Sequence, residues 1–448
     1  MHERGNVKMK KPKVFLLAAL LLAVPAFVAW SGSGACSAES VTTISFLDVM
    51  PSPERTALFH DLITEFEAGH PTIKVEYTSV PWEEAYKKLV AMGASQTLPD
   101  IITCDVGILQ SLAKPGWLLN LDKQFNSLPF KDDLTVATLA SKDSFSAMGK
   151  VYAIPDGYLC QGIFVRTDWL ADAGYKLDDL RHWTWDQYFE VNKKLTDPSK
   201  NRFGCAFRGG PNGGLRFFEY LGSMLEVTSA FPNGNDKSIY SDPRAVDYFK
   251  KFYSLYTDGY APKDSINWGF KEMVQGFVDG QCGTLNQTPE VTVTCQKEMA
   301  DGTWTVLPQP VNPNAKKTSF VWGYSGAYAI SAHSKNAKPA WTFIEWLSSS
   351  KTNLEYSTRF GCLPIYKSDL KDPFFQKGVM KGYADALLDP NIQYLKQPNE
   401  LSQWGYFLAE YNKNEVQKYM AGQQTAEQTM ANLSKWMTDQ YDKDVLHK

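Results

Sequence analysis

The stretch Thr42-Thr-Ile-Ser-Phe-Leu47 decides the fold, because it reads as a buried strand and starts a regular alternation of strands and helices. From Glu54 to Ala68, apolar residues recur at intervals of three and four, which is typical of a helix. Ile73–Tyr77 alternates like a second strand, Glu83–Met92 has helical spacing, and Ile101–Thr103 is a short apolar strand. This order predicts a parallel sheet covered by helices, in which ligands bind at the carboxyl ends of the strands.

The alternation continues through the rest of the chain. No segment has the composition of a free interdomain linker, so we expect two lobes whose chain crossings are intertwined. A glycine-rich segment, Gly209–Gly214, lacks the spacing and the Lys-Ser/Thr of a phosphate-binding loop. Residues 380–448 are expected to be mainly helical. The other main predictions are strands at Gln161–Arg166, Gln281–Asn286, Trp304–Leu307 and Tyr324–Ile330, and helices at Leu215–Leu225, Ala245–Tyr256, Lys271–Val278 and Pro339–Leu347.

Length and composition exclude several classes of protein. The chain has 448 residues, of which 44% are hydrophobic and 21% charged, as in ordinary globular proteins. Its length predicts two or three folding units, because single cores seldom exceed about 250–300 residues. A net charge of −3 gives no electrostatic footprint for nucleic acid. One long apolar run excludes a membrane protein with several spans.

That apolar run, Val14–Trp30, indicates export. It follows a lysine-rich segment and precedes small residues, which is the pattern of a secretory signal peptide over residues 1–38. An uncleaved anchor is the alternative, although the run is short for a spanning helix and contains Pro25. The signal predicts an exported protein that is periplasmic or extracellular. Ser33–Cys36 is similar to a lipoprotein cleavage box, so this protein is expected to be either soluble or lipid-anchored through Cys36.

The number of cysteines is compatible with an exported protein, and their spacing does not indicate a metal site. Six of the seven cysteines follow the signal, and an even number permits up to three disulfides in an oxidising compartment. Cys282 and Cys295 are the nearest pair, while the alternative is that these cysteines are buried small apolar residues. No Cys-x-x-Cys or His-Glu-x-x-His occurs, and no histidine lies near a cysteine pair. We therefore predict neither a metal nor a cofactor.

A search for catalytic residues returns mostly negative results. Gly323–Ala327 differs from a nucleophile elbow in its last residue and precedes a strand rather than a helix. The acidic pairs Asp132-Asp133 and Asp178-Asp179 have polar flanks and are better interpreted as solvated turns. The prediction is a protein that is not an enzyme. An exported carbohydrate-active enzyme remains the alternative, because such enzymes need only two well-placed carboxylates.

Aromatic residues that are expected in loops, beside Gly, Pro, Asn or Gln, rather than in strand or helix cores are the most informative feature. An aromatic plane can cover the apolar face of a sugar ring, while amides and carboxylates bind its hydroxyl groups. This combination favours a carbohydrate ligand, although core packing is the alternative for any single residue. The aromatic residues in question are Trp82, Trp117, Tyr158, Trp268, Trp322, Tyr324, Trp404 and Tyr406.

The order of several short motifs resembles the extracellular solute-binding proteins of sugar-type ABC importers, the group that contains maltose-binding protein. No single motif is specific, but their order and spacing cover nearly all of the chain after the signal. The motifs are Leu62–Val75, Leu98–Ile102, Val151–Pro155, Phe164–Leu170, Trp183–Gln187, Phe277–Gly283, Ser325–Ser331, Ala340–Leu347 and Gly361–Pro364.

The resemblance implies a type II periplasmic binding protein-like fold with two α/β lobes, a multi-strand hinge and a ligand cleft between them. Lobe 1 would comprise residues 39–154 and 308–366, and lobe 2 residues 155–307 and 367–448. A monomer would bind a carbohydrate and deliver it to the transmembrane subunits of an ABC permease. Strand ends, loop aromatics and matching family positions together give the expected ligand-binding residues: Asp48, Trp82, Asp105, Tyr158, Trp268, Asn286, Trp322, Gly323, Tyr324 and Trp404.

Two departures from the family pattern argue against maltodextrin. Leu159 stands where a ligand-binding carboxylate is expected, and Thr288-Pro289 stands where a Gly-x-Trp aromatic is usual. Another small polar solute such as a polyamine is therefore an alternative ligand. A receptor that signals through a membrane partner is an alternative to transport.

Overall fold

Two β-sheets organise the part of the chain described by the computed structural model, which covers residues 40–129, 131–314, 320–388 and 392–447. The expected signal peptide and Cys36 lie outside these residues. In the described part, no helix has both the length and the apolarity needed to cross a membrane. The strands are β1 Thr42–Asp48, β2 Ile73–Ser79, β3 Ile101–Cys104, β4 Ser146–Ala147, β5 Lys150–Val151, β6 Ala153–Cys160, β7 Gly162–Arg166, β8 Phe203–Cys205, β9 Cys282–Gln287, β10 Trp304–Leu307, β11 Phe320–Ile330 and β12 Gln393–Leu395.

Helices connect and cover these strands. Several begin at residues that stabilise helix starts: Ser52 accepts a hydrogen bond from the backbone N–H of Arg55, and Thr184 forms a capping box with Gln187. The α-helices are α1 Pro53–Gly69, α2 Trp82–Ala94, α3 Val106–Ala113, α4 Asp122–Ser127, α5 Val136–Ala140, α6 Thr167–Asp172, α7 Trp185–Leu195, α8 Gly214–Leu225, α9 Ala245–Thr257, α10 Phe270–Val278, α11 Val291–Glu298, α12 Ala337–Leu347, α13 Ser350–Phe360, α14 Gly378–Leu388, α15 Trp404–Tyr406, α16 Asn412–Met420 and α17 Ala426–Tyr441.

The larger sheet has six strands and confirms the expected parallel start. Its order is β12-β11-β3-β1-β2, with β6 also paired to β11. β1 runs parallel to β2 and β3, whereas β11 runs antiparallel to β3 and β6. The ends of β1 and β2 therefore open on the same edge of the sheet.

The smaller main sheet has four strands in the order β10-β7-β9-β8. β6 of the six-stranded sheet ends at Cys160 and β7 of the four-stranded sheet begins at Gly162. Gln161 is consequently the one residue that joins the two sheets at this crossing. The chain returns from the four-stranded to the six-stranded sheet between β10 and β11.

β11 and α13 are among the elements that differ from the sequence-based expectation. β11 begins at Phe320 rather than Tyr324, because Phe320–Trp322 pair with Gln393–Leu395 of β12. Trp322 and Gly323 thus belong to a strand instead of the expected loop, and Tyr324 lies inside this strand rather than at its start. Helix α13 was not predicted, and its start is capped by Ser349, which accepts from the backbone N–H of Thr352.

A buried ion cluster lies where β1, α1 and β6 meet. The Arg55 guanidinium is fully buried and lies 3.1 Å from Asp48 Oδ1 and 3.7 Å from Asp156 Oδ2. Arg55 also donates to the Tyr356 hydroxyl, and Tyr77 donates to Asp48 Oδ2 at 3.1 Å. The two carboxylates thereby neutralise a charge that would be costly to bury alone.

The cysteines of the described part form no disulfide. Six thiols are free and buried, at Cys104, Cys160, Cys205, Cys282, Cys295 and Cys362. Burial raises the pKa of the Cys205 and Cys295 thiols to about 12. These cysteines act as small apolar core residues, which was the alternative to a disulfide framework.

Candidate functional site

A cavity of about 320 Å³ lies between the two sheets. From the six-stranded side it is lined by Met50–Ser52 and Glu54 after β1, and by Pro81–Glu83 after β2. From the four-stranded side it is lined by residues around β9 and by the segment after β8. Its volume is at the lower end of the range of about 300–1,000 Å³ for small-molecule sites.

The wall on the six-stranded side is built from helix starts. α1 and α2 begin just after the parallel strands β1 and β2, with proline at Pro53 and Pro81. Pro53 is the first residue of α1, where the fixed φ of proline suits the helix, whereas Pro81 is the N-cap of α2. Trp82, the first residue of α2, lines the cavity, and it is the one residue that does so among those of the expected binding set whose side chains the structure describes.

The glycine-rich segment shapes the opposite wall. Asn212 adopts a left-handed φ of 63°, and a Cβ added to Gly213 would lie 2.0 Å from the backbone oxygen of Arg208. A side chain at Gly213 would therefore force the segment apart. The tight turn brings Arg208, Asn212 and Arg216 to the cavity.

Several buried polar atoms without partners among the described residues belong to residues that line this cavity. Gln161 as a whole is 4% exposed. Neither its side-chain Nε2 nor its Oε1 has a hydrogen-bond partner among the described residues. The same holds for Gln287 Nε2 and Glu290 Oε2. Buried polar groups are normally satisfied, so these two donor groups and two acceptor atoms lack the partners that such groups usually have among the described residues.

Most charges at the cavity are balanced by a partner. Glu83 Oε1 lies 3.2 Å from Arg208 Nη2, and Glu54 Oε1 lies 2.7 Å from Lys297 Nζ. The hydrogen bond from Lys297 lowers the pKa of Glu54. Arg216 donates to the backbone oxygen of Asn286 and to Gln287 Oε1, both at 3.1 Å.

Glu290 differs from the other two cavity carboxylates. Burial raises its pKa, while a hydrogen bond from Thr288 Oγ1 at 2.6 Å and the charge of Arg216 oppose that rise. One carboxylate oxygen is thus fixed by Thr288, and the other has no hydrogen-bond partner in the part of the chain that the structure describes.

Asp48 and Asp105 serve the scaffold in this structure. Asp48 accepts hydrogen bonds from Arg55, Tyr77 and Thr103, so its carboxylate is fully engaged in the buried ion cluster. Asp105 is the N-cap of α3 and accepts from the backbone N–H of Ile108 at 2.9 Å. Neither residue lines the cavity.

Four further residues of the expected set also lie away from the cavity lining. Trp268 donates through Nε1 to Asp264 at 3.1 Å, and Trp404 stacks on Phe407 with ring centroids 5.1 Å apart. Tyr158 is 1% exposed and packs in a cluster with Leu363 and neighbouring apolar residues. The fourth residue, Asn286, accepts from Gln309 Nε2 at 2.9 Å.

The remaining three expected residues belong to β11. Gly323 pairs with Cys160, and a Cβ there would lie 2.0 Å from the Tyr158 hydroxyl, so glycine is required at this close approach. The side chains of Trp322 and Tyr324 lie outside the described part of the structure. Their role as ligand contacts stays a prediction.

Sequence reasoning missed the polar residues of the cavity. Gln161, Gln287 and Glu290 carry no motif, because their importance comes from a chain crossing and a strand end that meet only in the fold. Arg208 and Arg216 flank the glycine-rich segment, and this proximity was the one available signal. The described residues contain no group of three His, Cys, Asp or Glu side chains that could hold a metal ion.

Comparison with known proteins identifies relatives that align with most of this chain. Among curated relatives, an erythritol/L-threitol-binding protein of Mycolicibacterium smegmatis is 21% identical over 388 residues, which cover 80% of this chain and 78% of that protein. An uncharacterized lipoprotein of Streptomyces antibioticus is 24% identical over 380 residues, covering 79% and 77%. Both alignments therefore span most of each protein.

Solved structures give the same answer for the fold. A solute-binding protein of an ABC transporter from Thermotoga lettingae, bound with α-D-tagatose, superimposes with a TM-score of 0.77 at 16% identity. The match covers 89% of this chain and 99% of that structure. The fold is thus the expected type II periplasmic binding protein fold.

The sequence model of the bacterial extracellular solute-binding proteins matches residues 51–353, which is more than half of the chain. The matched range includes the starts of α1 and α2, the glycine-rich segment and the Gln287–Val291 wall of the cavity. The chain therefore belongs to the bacterial extracellular solute-binding protein family.

Proposed function

We propose that this protein is the solute-binding component of an ABC importer and that it binds a small neutral carbohydrate or polyol in the cavity between the two sheets. The observation that carries the proposal is the set of unpartnered atoms of Gln161, Gln287 and Glu290 in a cavity that Trp82 also lines. Hydroxyl groups both donate and accept, so they can satisfy this mixed set.

Charge supports a neutral ligand. Arg208, Arg216 and Lys271 line the same cavity as the three glutamates. A polyamine would meet these three cations, and two of the glutamates are already bound to Arg208 and Lys297. The cavity therefore favours an uncharged hydroxylated molecule over a cation.

The erythritol- and tagatose-binding relatives support the same ligand class. The modest cavity volume favours a monosaccharide, a polyol or a short oligosaccharide. We further propose that the two lobes divide at Gln161 and between β10 and β11, since the expected boundary at 154/155 falls within β6, which pairs with β11 throughout. Closure of the lobes would then bury the ligand and present the monomer to the permease subunits.

Family membership and the lipoprotein relative support an extracytoplasmic location. The signal peptide over residues 1–38 and a lipid anchor at Cys36 are part of this proposal. Mass spectrometry of the mature protein isolated from its native host tests both, since cleavage and lipidation change the mass of its first residues.

Thermal unfolding in the presence of sugars, polyols and polyamines tests the ligand class. A true ligand at about 100 times its Kd should add about 2.7 kcal/mol to the free energy of unfolding. Trp82→Ala should weaken binding strongly, whereas Trp341→Ala, a change to a similarly half-buried tryptophan on α12, should leave it intact. Stabilisation by polyamines alone would refute the carbohydrate assignment.

Recovery of the ligand distinguishes binding from catalysis. After prolonged incubation at 37 °C, chromatography and mass spectrometry should return the sugar unchanged. A cleaved or rearranged sugar would instead identify an enzyme, with the cavity glutamates as the first residues to substitute.

A further inference from the structure

One glutamate joins the two sides of the cavity without any ligand atom. Glu83 lies in the first turn of α2, on the six-stranded side. Its Oε1 accepts from Arg208 Nη2 at 3.2 Å and from the backbone N–H of Phe270 at 3.0 Å. Arg208 follows β8 and Phe270 begins α10, so both donors belong to the four-stranded side.

The surroundings make this contact stronger than an ordinary surface ion pair. The Arg208 side chain is 6% exposed and that of Glu83 is 32% exposed. Hydrogen bonds to charged groups are stronger than neutral ones, and a carboxylate at a helix N-terminus gains from the helix dipole. The Glu83 carboxylate satisfies both conditions at once.

Gly269 permits the close approach of the two sides. A Cβ added there would lie 2.9 Å from Glu83 Oε1, which is closer than real Cβ atoms come to other heavy atoms. The Gly269 backbone N–H donates to Glu272 instead, at 3.0 Å. The first turn of α10 is therefore arranged so that the next N–H, that of Phe270, is left for Glu83.

A second ion pair spans the same cavity, but it is weaker because its lysine is more exposed to water. Glu54 on α1 binds Lys297 on α11, and the lysine side chain is 63% exposed. Exposed pairs contribute little, because water and salt screen them. Of the two ion pairs that span the cavity, the one between Glu83 and Arg208 is therefore the stronger.

We propose that Glu83 is a closing latch: its bonds to Arg208 and to the Phe270 N–H stabilise the closed arrangement directly and thereby set ligand affinity and release rate. The claim about the closed arrangement does not depend on the proposed function, whereas the claim about ligand affinity and release rate rests on it. Apparent affinity depends on the fraction of molecules in the binding-competent state. A latch between the sides therefore raises affinity in addition to any contact that its residues make with the ligand.

Small-angle X-ray scattering of the ligand-free protein tests whether Glu83 stabilises the closed arrangement. Glu83→Gln removes the charge but keeps an amide oxygen for the Phe270 N–H, and Arg208→Gln removes the cationic partner. Both variants should show a larger radius of gyration than the wild type. The matched control is Glu84→Gln, which removes a charge from an exposed residue in the same first turn of α2 and should leave the radius unchanged.

Stopped-flow tryptophan fluorescence with a sugar ligand tests whether Glu83 sets the affinity and the release rate of the ligand. Loss of the latch should raise the dissociation rate about tenfold and change the association rate little, because a charge-assisted bond made only on closure is lost. Glu84→Gln should match the wild type. Circular dichroism confirms that each variant is folded.

The two arms separate the possible failures. Equal radii and equal dissociation rates for Glu83→Gln and Glu84→Gln would overturn the latch. A wild type that binds no sugar would refute the proposed function, while the scattering arm, which contains no ligand, would still decide the latch.

Discussion

At the scale of single residues, position in the fold decides whether a carboxylate binds a ligand or supports the scaffold. Asp48 and Asp105 follow parallel strands, where ligand-binding residues are common, yet both face protein partners. Sequence reasoning placed them correctly at strand ends but could not see Arg55 beside one or the start of α3 beside the other. Glu290 carries a comparable carboxylate, one oxygen of which has no partner among the described residues.

Asp105 offers a test of this distinction. Burial raises its pKa from 3.8 to about 6, so the folded state holds the proton more tightly than the unfolded state, and ionisation destabilises the protein. The cost is absent below the unfolded pKa and develops fully as pH rises above 6. Asp105→Asn keeps an N-cap acceptor and should stabilise the protein at pH 7.5 by at most roughly 3 kcal/mol.

Urea unfolding at pH 3.5 and pH 7.5 measures this effect. The gain should disappear at pH 3.5, where the aspartate is protonated in both states. Ligand affinity of Asp105→Asn should stay at the wild-type value. A strong loss of affinity in a normally stable variant would show that Asp105 contacts the ligand after all.

Arg55 is the residue whose loss should be most damaging. Arg55→Met would leave Asp48 and Asp156 buried without their cation, and breaking a buried pair in this way costs about 3–5 kcal/mol. Arg359→Met is the matched control, because Arg359 pairs with Asp61 and Glu355 on the surface. Such exposed pairs contribute about 1 kcal/mol or less, and urea titration separates the two outcomes.

At the scale of elements, periodic segments were predictable and contact-defined segments were not. α1, α2 and the first three strands follow from their hydrophobic spacing alone. The early start of β11 depends on pairing with β12, a three-residue strand that follows some sixty residues later in the chain. α13 lacked a clear apolar stripe, since its residues include Ser350, Lys351 and Thr352 in the first turn.

The glycine-rich segment gives a prediction at this scale. Gly213→Ala should displace the turn, because the added carbon would lie 2.0 Å from the Arg208 oxygen. Both stability and ligand binding should fall. Gly382→Ala is the control: it lies in α14 with nothing within 4 Å of the added carbon, and it should stabilise the helix by up to about 1 kcal/mol.

Thermal unfolding and ligand titration measure both glycine variants. If Gly213→Ala unfolded and bound like the wild type, the segment would be more adaptable than its contacts indicate, and its role in shaping the cavity would be wrong.

At the scale of the whole molecule, the type of fold was predictable from ordered motifs, whereas the binding surface was not. The motifs mostly encode strands, helices and turns that any member of the family needs. The cavity side chains come from segments distant in sequence, such as Gln161, Arg208 and Gln287. Their convergence depends on how two sheets face each other, which no local pattern records.

The six buried thiols yield a prediction for the intact protein. Because no disulfide links the described cysteines, a reducing agent should leave the midpoint of thermal unfolding unchanged. Thiol titration should give little reaction in the native state and full reaction in guanidinium chloride. A lower midpoint under reduction would show that a disulfide forms in the mature protein.

The position of β11 has a consequence for biogenesis. This strand pairs with β3, β6 and β12, yet it begins only at Phe320, long after β1–β3 have left the ribosome. The larger sheet therefore cannot be completed while the first 300 residues are being synthesised, and such distant pairing slows folding. This delay suits the proposed export, because a chain that has not yet formed a stable sheet can pass a translocation channel as an extended thread.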